Sequence, residues 1–241
     1  MEVFDDVVAE QDRLEAVLSG LSAEAWLTSS DVTGWTIADV VLHLAQSDEA
    51  VLASVDGVDI GQGLDAGTVD AVMENLVRAE RTGPGAIFER WRQARRASIA
   101  ALRGVDPQRP LAWVATTLKP RTLATTRLAE HWAHGLDITT PLRIPFPDTD
   151  RLRHIAWLGH STLPYAFALA GEPAHEVFCE LTGPDGTLWR YGLPTAESTI
   201  IGPAGAFCRV GARRLAPEES SLVTTGPHGA AALRVLRNYA A

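Results

Sequence analysis

Between Thr139 and Pro147 the chain reads Thr-Thr-Pro-Leu-Arg-Ile-Pro-Phe-Pro, and no helix can run through it. Proline lacks the N–H that a helical ladder needs and its ring collides with the preceding turn, so this segment reads as a linker. The two sides of it differ in pattern. Up to about residue 140, apolar residues recur at helical spacing with little β-branched clustering. Beyond it, β-like runs are separated by Gly/Pro turns: His175–Leu181, then Gly183-Pro184-Asp185-Gly186, then Thr187–Tyr191, which predicts a hairpin. A strand over Ser220–Thr225 and an apolar-periodic helix over Ala230–Tyr239 are expected to follow. The 241 residues are therefore read as a mainly α chain, with a helical bundle over 1–140 and a smaller α+β domain over 148–241.

Four helices are expected in the first part. One covers Val3–Ser19 and stops at Gly20. A second begins after Trp35, where Thr36 and Asp39 have the spacing of a capping box. The third is long or broken and ends in Gly85–Leu102, and the fourth runs from about Arg121 to Ile138. Four helices with long connections suit a bundle whose interior can hold a metal or ligand.

Charge is distributed unevenly. Residues 1–80 carry 17 acidic and 2 basic side chains, residues 81–160 carry 6 and 13, and residues 161–241 carry 7 and 6. An acidic first third beside a basic middle third suggests helices with complementary flanks, the plainer alternative being solvated faces. The net charge of −9 argues against nucleic acid as a partner. No apolar run is long enough for a membrane span, and the acidic start is unlike a signal peptide. Two cysteines, Cys179 and Cys208, are too few for a disulfide framework, so a cytoplasmic location is expected. Nothing in the sequence specifies an oligomeric state.

The chemistry concentrates at two places. In the fourth helix Glu130 and His134 are four residues apart and share a face, with Arg127 and Asp137 on the same stripe. A carboxylate and an imidazole at that spacing can chelate a divalent cation, although exposed helices also produce such pairs as simple hydrogen-bonded neighbours. In the second helix His43 lies between Leu42 and Leu44, beside an apolar stripe of Ile37, Val40, Val41 and Leu44. A buried histidine there is either satisfied locally or is a third ligand. Three protein ligands with one position left open form the pattern of a catalytic metal site.

These residues carry a resemblance. Trp35-Thr36-x-x-Asp39-Val40-x-x-His43-Leu44-Ala45, followed about 85 residues later by Arg127-x-x-Glu130-x-x-x-His134-x-x-Asp137, resembles the mycothiol-dependent maleylpyruvate isomerase family within the DinB-like metal-binding superfamily. The run Thr199–Ala204, then Phe207-Cys208-Arg209-Val210 and a closing helix, resembles the small sterol-carrier-like C-terminal domain of the same proteins. The resemblance implies a DinB-like four-helix bundle, a divalent metal (zinc the usual one) held by His43, Glu130 and His134, and mycothiol as cosubstrate. It points to an actinobacterial branch rather than to the isomerase itself, so the substrate does not carry over.

The expected function follows from the residues. The first part has no cysteine, so sulfur chemistry there needs a thiol from outside, and a Lewis-acidic metal would activate it for S-transfer to a small electrophile or for cis–trans isomerisation. The alternative is a non-catalytic metal- or ligand-binding protein, a sensor or carrier. Partners would be a small-molecule substrate and the thiol. Arg127 is the candidate catalytic residue, binding a substrate carboxylate or an anionic part of the thiol, or else it forms an outward ion pair. Asp137 could orient His134. Arg209 is the candidate cofactor-binding residue. His131 lies about 100° round the helix from Glu130 and is read as surface or packing. Trp35 could line the pocket.

Overall fold

The computed structural model describes residues 2–61, 69–114 and 116–238, which fall into two compact units, one ending at Phe146 and one beginning at Pro147. The first holds α1 (Val3–Ser19), the short α2 (Ala23–Trp26), α3 (Ile37–Val55), α4 (Val69–Glu80), α5 (Pro84–Gly104), a hairpin of β1 (Leu111–Trp113) and β2 (Thr116–Leu118), and α6 (Pro120–Thr139). The helix starts follow from local chemistry. Thr36 and Asp39 cap α3 reciprocally, and Pro84 and Pro120 open α5 and α6, where a missing N–H costs nothing. The third expected helix is two: Arg81-Thr82-Gly83 separates α4 from α5.

Four long helices, α1, α3, α5 and α6, make the bundle, with α3 packed chiefly on α5 and α1 on α6. Its core joins Leu14 and Leu18 to Ile37, Val40, Val41, Leu44, Ile87, Trp91 and Ile138. Each such buried side chain stabilises the fold by about 1.5–3 kcal/mol relative to exposure. The charge asymmetry is used between helices. On α5, Arg90 makes a two-bond pair with Glu49 of α3 at 2.7 Å each, and buried Arg95 reaches Asp12 and Glu15 of α1.

Phe146, in the proline-rich segment, packs on α6 at Gly135. A Cβ there would stand 2.6 Å from the Phe146 ring, so only glycine lets the ring approach this closely. Arg13 of α1 lies over that ring, 3.3 Å from its centroid.

The second unit has α7 (Leu152–Ser161), α8 (Leu163–Leu169), β3 (Val177–Thr182), β4 (Leu188–Tyr191), β5 (Ser198–Pro203), α9 (Ala204–Gly211), β6 (Val223–Thr225) and α10 (Gly229–Val235). The strands order as β4-β3-β5-β6, with β3 and β5 parallel and the other pairs antiparallel. Val177, Cys179 and Leu181 alternate into the buried face and Ile200 stands beside Cys179 in register. The β3–β4 turn has Gly186 at φ 85°, as expected of Gly183–Gly186.

This unit differs in places from its sequence reading. Two helices, α7 and α8, precede the first strand; Leu152, Ile155, Ala156 and Gly159 give α7 a buried helical stripe. The last strand is only Val223–Thr225, because Ser220 closes a 3₁₀ turn over Pro217–Glu219 with its hydroxyl on the Pro217 carbonyl at 2.6 Å. The last helix ends at Val235, where Leu236 turns extended, and Tyr239 lies outside the described residues. The chain is thus a helical bundle followed by a small α+β unit. Among the described residues no helix is long and apolar enough to cross a membrane.

Candidate metal centre

The capping box starts α3 and sets its rotation. Asp39 accepts the Thr36 N–H at 2.9 Å, Thr36 Oγ1 accepts the Asp39 N–H at 3.2 Å, and Arg81 binds both Asp39 oxygens at 2.8 and 3.0 Å. Asp39 is thereby fully committed to the helix start. One turn on, His43 is half-buried with the Trp35 ring 5.4 Å away.

The rotation of α6 is set by His131. It is fully buried: Trp91 of α5 donates its indole N–H to His131 Nε2 at 3.2 Å, and the Nδ1–H donates to the Arg127 carbonyl at 2.8 Å. Gln11 of α1 and Asp48 of α3 approach the same Nε2 at 3.4 Å. With His131 fixed among α1, α3 and α5, the neighbouring Glu130 and His134 are turned toward His43.

His43, Glu130 and His134 come together, their ligand atoms all within 4.8 Å of one another. Glu130 Oε2 lies 3.5 Å from His43 Nε2 and 3.5 Å from His134 Nε2. That separation is long for a hydrogen bond. It matches the spacing of donors around a small cation, since bonds of about 2.0–2.1 Å in a tetrahedron put ligand atoms about 3.3–3.4 Å apart. The imidazole rings meet nearly edge to face, 5.0 Å between centroids.

The partners of each donor suit the same role. Asp137 Oδ2 accepts from His134 Nδ1 at 2.8 Å, which turns Nε2 toward Glu130 as the atom that would bind an ion on giving up its proton. Burial lowers the His43 pKa. Burial also acts on Glu130, pushing it up, but His134, His43 and the charge of Arg127 outweigh it and hold the carboxyl well below its usual range. For His134, burial is outweighed by Asp137 and Glu130, and the pKa is raised. A neutral imidazole, an ionised carboxylate and an imidazole backed by a second carboxylate form a set that could hold a divalent ion.

The other candidates are placed as follows. Arg127 is buried on α6, with its guanidinium 5.0 Å from the centroid of the Trp113 ring, and is not in an outward ion pair. Arg209, on α9 of the second unit, binds Asp148 through two nitrogens at 2.7 and 2.9 Å, and Gly205 leaves the space that the Asp148 carboxylate occupies. Both cysteines are buried in the second unit, and burial pushes the Cys179 thiol up to about 12 and Cys208 higher. The sequence reading missed Trp113. Only the pairing of Trp113 with Thr116 across the β1–β2 hairpin, and the Ser54 hydroxyl on the Ala112 carbonyl at 2.6 Å, bring it to α6.

Known proteins share this fold. Two solved structures of the mycothiol-dependent maleylpyruvate isomerase, one of them a mutant, superpose with a TM-score of 0.61 at 14% and 13% identity. They cover 92% and 91% of this chain and 91% of their own, which shows the fold. Two sequences from Mycobacterium tuberculosis, the uncharacterized proteins MT0041 (strain CDC 1551 / Oshkosh) and Rv0036c (strain ATCC 25618 / H37Rv), are each 34% identical over 212 residues, covering 84% of this chain and 81% of theirs. Residues 7–139, which include all three converging side chains, match the model of the mycothiol maleylpyruvate isomerase N-terminal domain, and the chain belongs to that family.

Proposed function

We propose that this chain is a divalent-metal-dependent enzyme that activates a low-molecular-weight thiol, mycothiol by family, for S-transfer to a small electrophile or for its cis–trans isomerisation. One observation carries the reading. Three donors of the type that binds zinc converge on α3 and α6, while both thiols of the chain are buried in the other unit with raised pKa values. The nucleophile has to come from outside.

An ion held by His43, Glu130 and His134 supplies Lewis acidity that favours the thiolate form of an incoming thiol at neutral pH. The chain's own residues prepare the place. Asp137 holds His134 in the Nδ1–H tautomer, burial keeps His43 neutral, and Glu130 stays ionised. In isomerisation the sulfur adds to an activated double bond, the π electrons move onto the conjugated carbonyl, rotation follows, and the C–S bond breaks to return the thiolate. In S-transfer a C–S bond forms and the leaving group departs with its electron pair; the thiol proton goes to solvent.

The test uses zinc-loaded protein, mycothiol and a chromogenic electrophile. Conjugation that is lost in His134→Ala supports the enzyme reading. Bound ion without turnover in the unmodified chain would instead identify a sensor or carrier.

A further inference from the structure

The segment after α3 and the β1–β2 hairpin border an open cavity of about 500 Å³, a size usual for a small-ligand site. None of the three metal donors lines it. Its walls are fixed by local contacts. The Ser54 hydroxyl on the Ala112 carbonyl holds β1 against the end of α3. Gly61 lies so close to β1 that a Cβ there would stand 2.7 Å from the Val114 carbonyl oxygen, so only glycine lets the segment follow the strand this closely. Asp59 and Arg109 are the charged residues of the lining, one of each sign. Among the described residues neither makes an ion pair, with the other or with any third group. Asp59 Oδ1 accepts the Gly61 N–H at 3.2 Å, which orients the carboxylate and leaves Oδ2 uncommitted. The Arg109 guanidinium has no hydrogen-bond partner among the described residues. An acid and a base that line one cavity without meeting select against a single ion, which one would attract and the other repel. A molecule with a charge of each sign engages both. Half-buried Trp113 gives the same cavity a flat apolar wall.

We propose that this cavity binds a small zwitterion, an amino acid with an apolar or aromatic side chain. Its carboxylate goes to Arg109, whose planar guanidinium matches it in shape and charge. Its ammonium goes to Asp59 and its side chain lies against Trp113. Asp59 and Arg109 are exposed, so water screens each contact and each charge changes the affinity by a factor of about five. The site is separate from the metal centre and does not depend on the thiol chemistry proposed there.

The probe is L-phenylalanine, compared with 3-phenylpropanoate, which lacks the ammonium, and phenylalaninamide, which lacks the carboxylate. Each is titrated into the full chain at slightly acid pH, where the amide keeps its charge, and read by NMR at the Trp113 indole N–H. That signal is assigned by its loss in Trp113→Phe. Phenylalanine should shift it to saturation, and each analogue should bind about fivefold more weakly. Arg109→Gln should weaken phenylalanine about fivefold and leave phenylalaninamide unchanged. Asp59→Asn should weaken phenylalanine to the same degree and leave 3-phenylpropanoate unchanged. Equal binding of all three ligands would mean a merely apolar cavity and would overturn the proposal. Sensitivity to one substitution and not the other would mean a site for a single ion, and would overturn it too, as would the lack of any saturable shift. The comparison of the three ligands on the unmodified chain decides the matter even if a variant does not fold.

Discussion

Asp137 stands 2.8 Å from His134 Nδ1, on the side of the imidazole away from Glu130. The acid near the end of α6 is unfavourable for the helix dipole, and its hydrogen bond to the imidazole offsets this by orienting the ring. Asp137→Asn keeps the shape and removes the charge. It should weaken zinc binding by about 10–100-fold with the helix content unchanged, read by competition with a chelating dye.

The pKa shifts set the sign of a proton effect. His134 is raised above its ordinary 6.5, so the apo site holds a proton there into the neutral range, and it contributes stability that is complete at low pH and fades as pH rises through the folded value. Glu130 is depressed, so its contribution is present above 4.5 and is lost only in acid. Zinc uptake near neutral pH should therefore release protons and tighten as pH rises. Calorimetry in buffers of different ionisation enthalpy measures this; pH-independent uptake with no proton release would contradict the assignment.

Gly135→Ala opposes two effects. Alanine favours a helix interior by about 1 kcal/mol over glycine. Its Cβ would meet Phe146 at 2.6 Å, and overpacking of that kind costs about 1–3 kcal/mol. We expect net destabilisation in urea unfolding, and Phe146→Leu should relieve it.

Arg95 is buried between α5 and α1 and reaches two acids, Asp12 and Glu15. Removing it in Arg95→Met leaves Glu15 partly buried without this partner, at a cost of about 1.5–3 kcal/mol in the same measurement. The exposed Arg78–Glu74 pair on α4 should cost less than about 1 kcal/mol when broken.

These features differ in how far the sequence discloses them. The span of α1, the start of α3 and the course of α6 are legible because period, caps and prolines are local signals. The three donors are legible for a related reason: Glu130 and His134 sit four apart on one helix, and His43 interrupts an apolar stripe on another. Trp113 is not, since three-residue strands show no alternation and its place depends on a hairpin docked through Ser54. His131 shows the same limit. Its angle excludes it from the metal face, but its burial depends on Trp91, Gln11 and Asp48 from three other helices, which spacing along α6 cannot reveal. In the second unit, the hairpin with its Gly-rich turn is legible, whereas α7 and α8 are hidden by the expectation of β structure after the linker.

The most direct test of thiol activation replaces the ion with cobalt, whose absorption reports its ligands. Adding mycothiol to the cobalt-loaded chain should produce a sulfur-to-cobalt charge-transfer band with one equivalent, absent in His43→Ala and Glu130→Ala. A cobalt spectrum that does not change with the thiol, in a chain that holds one ion, would contradict the account.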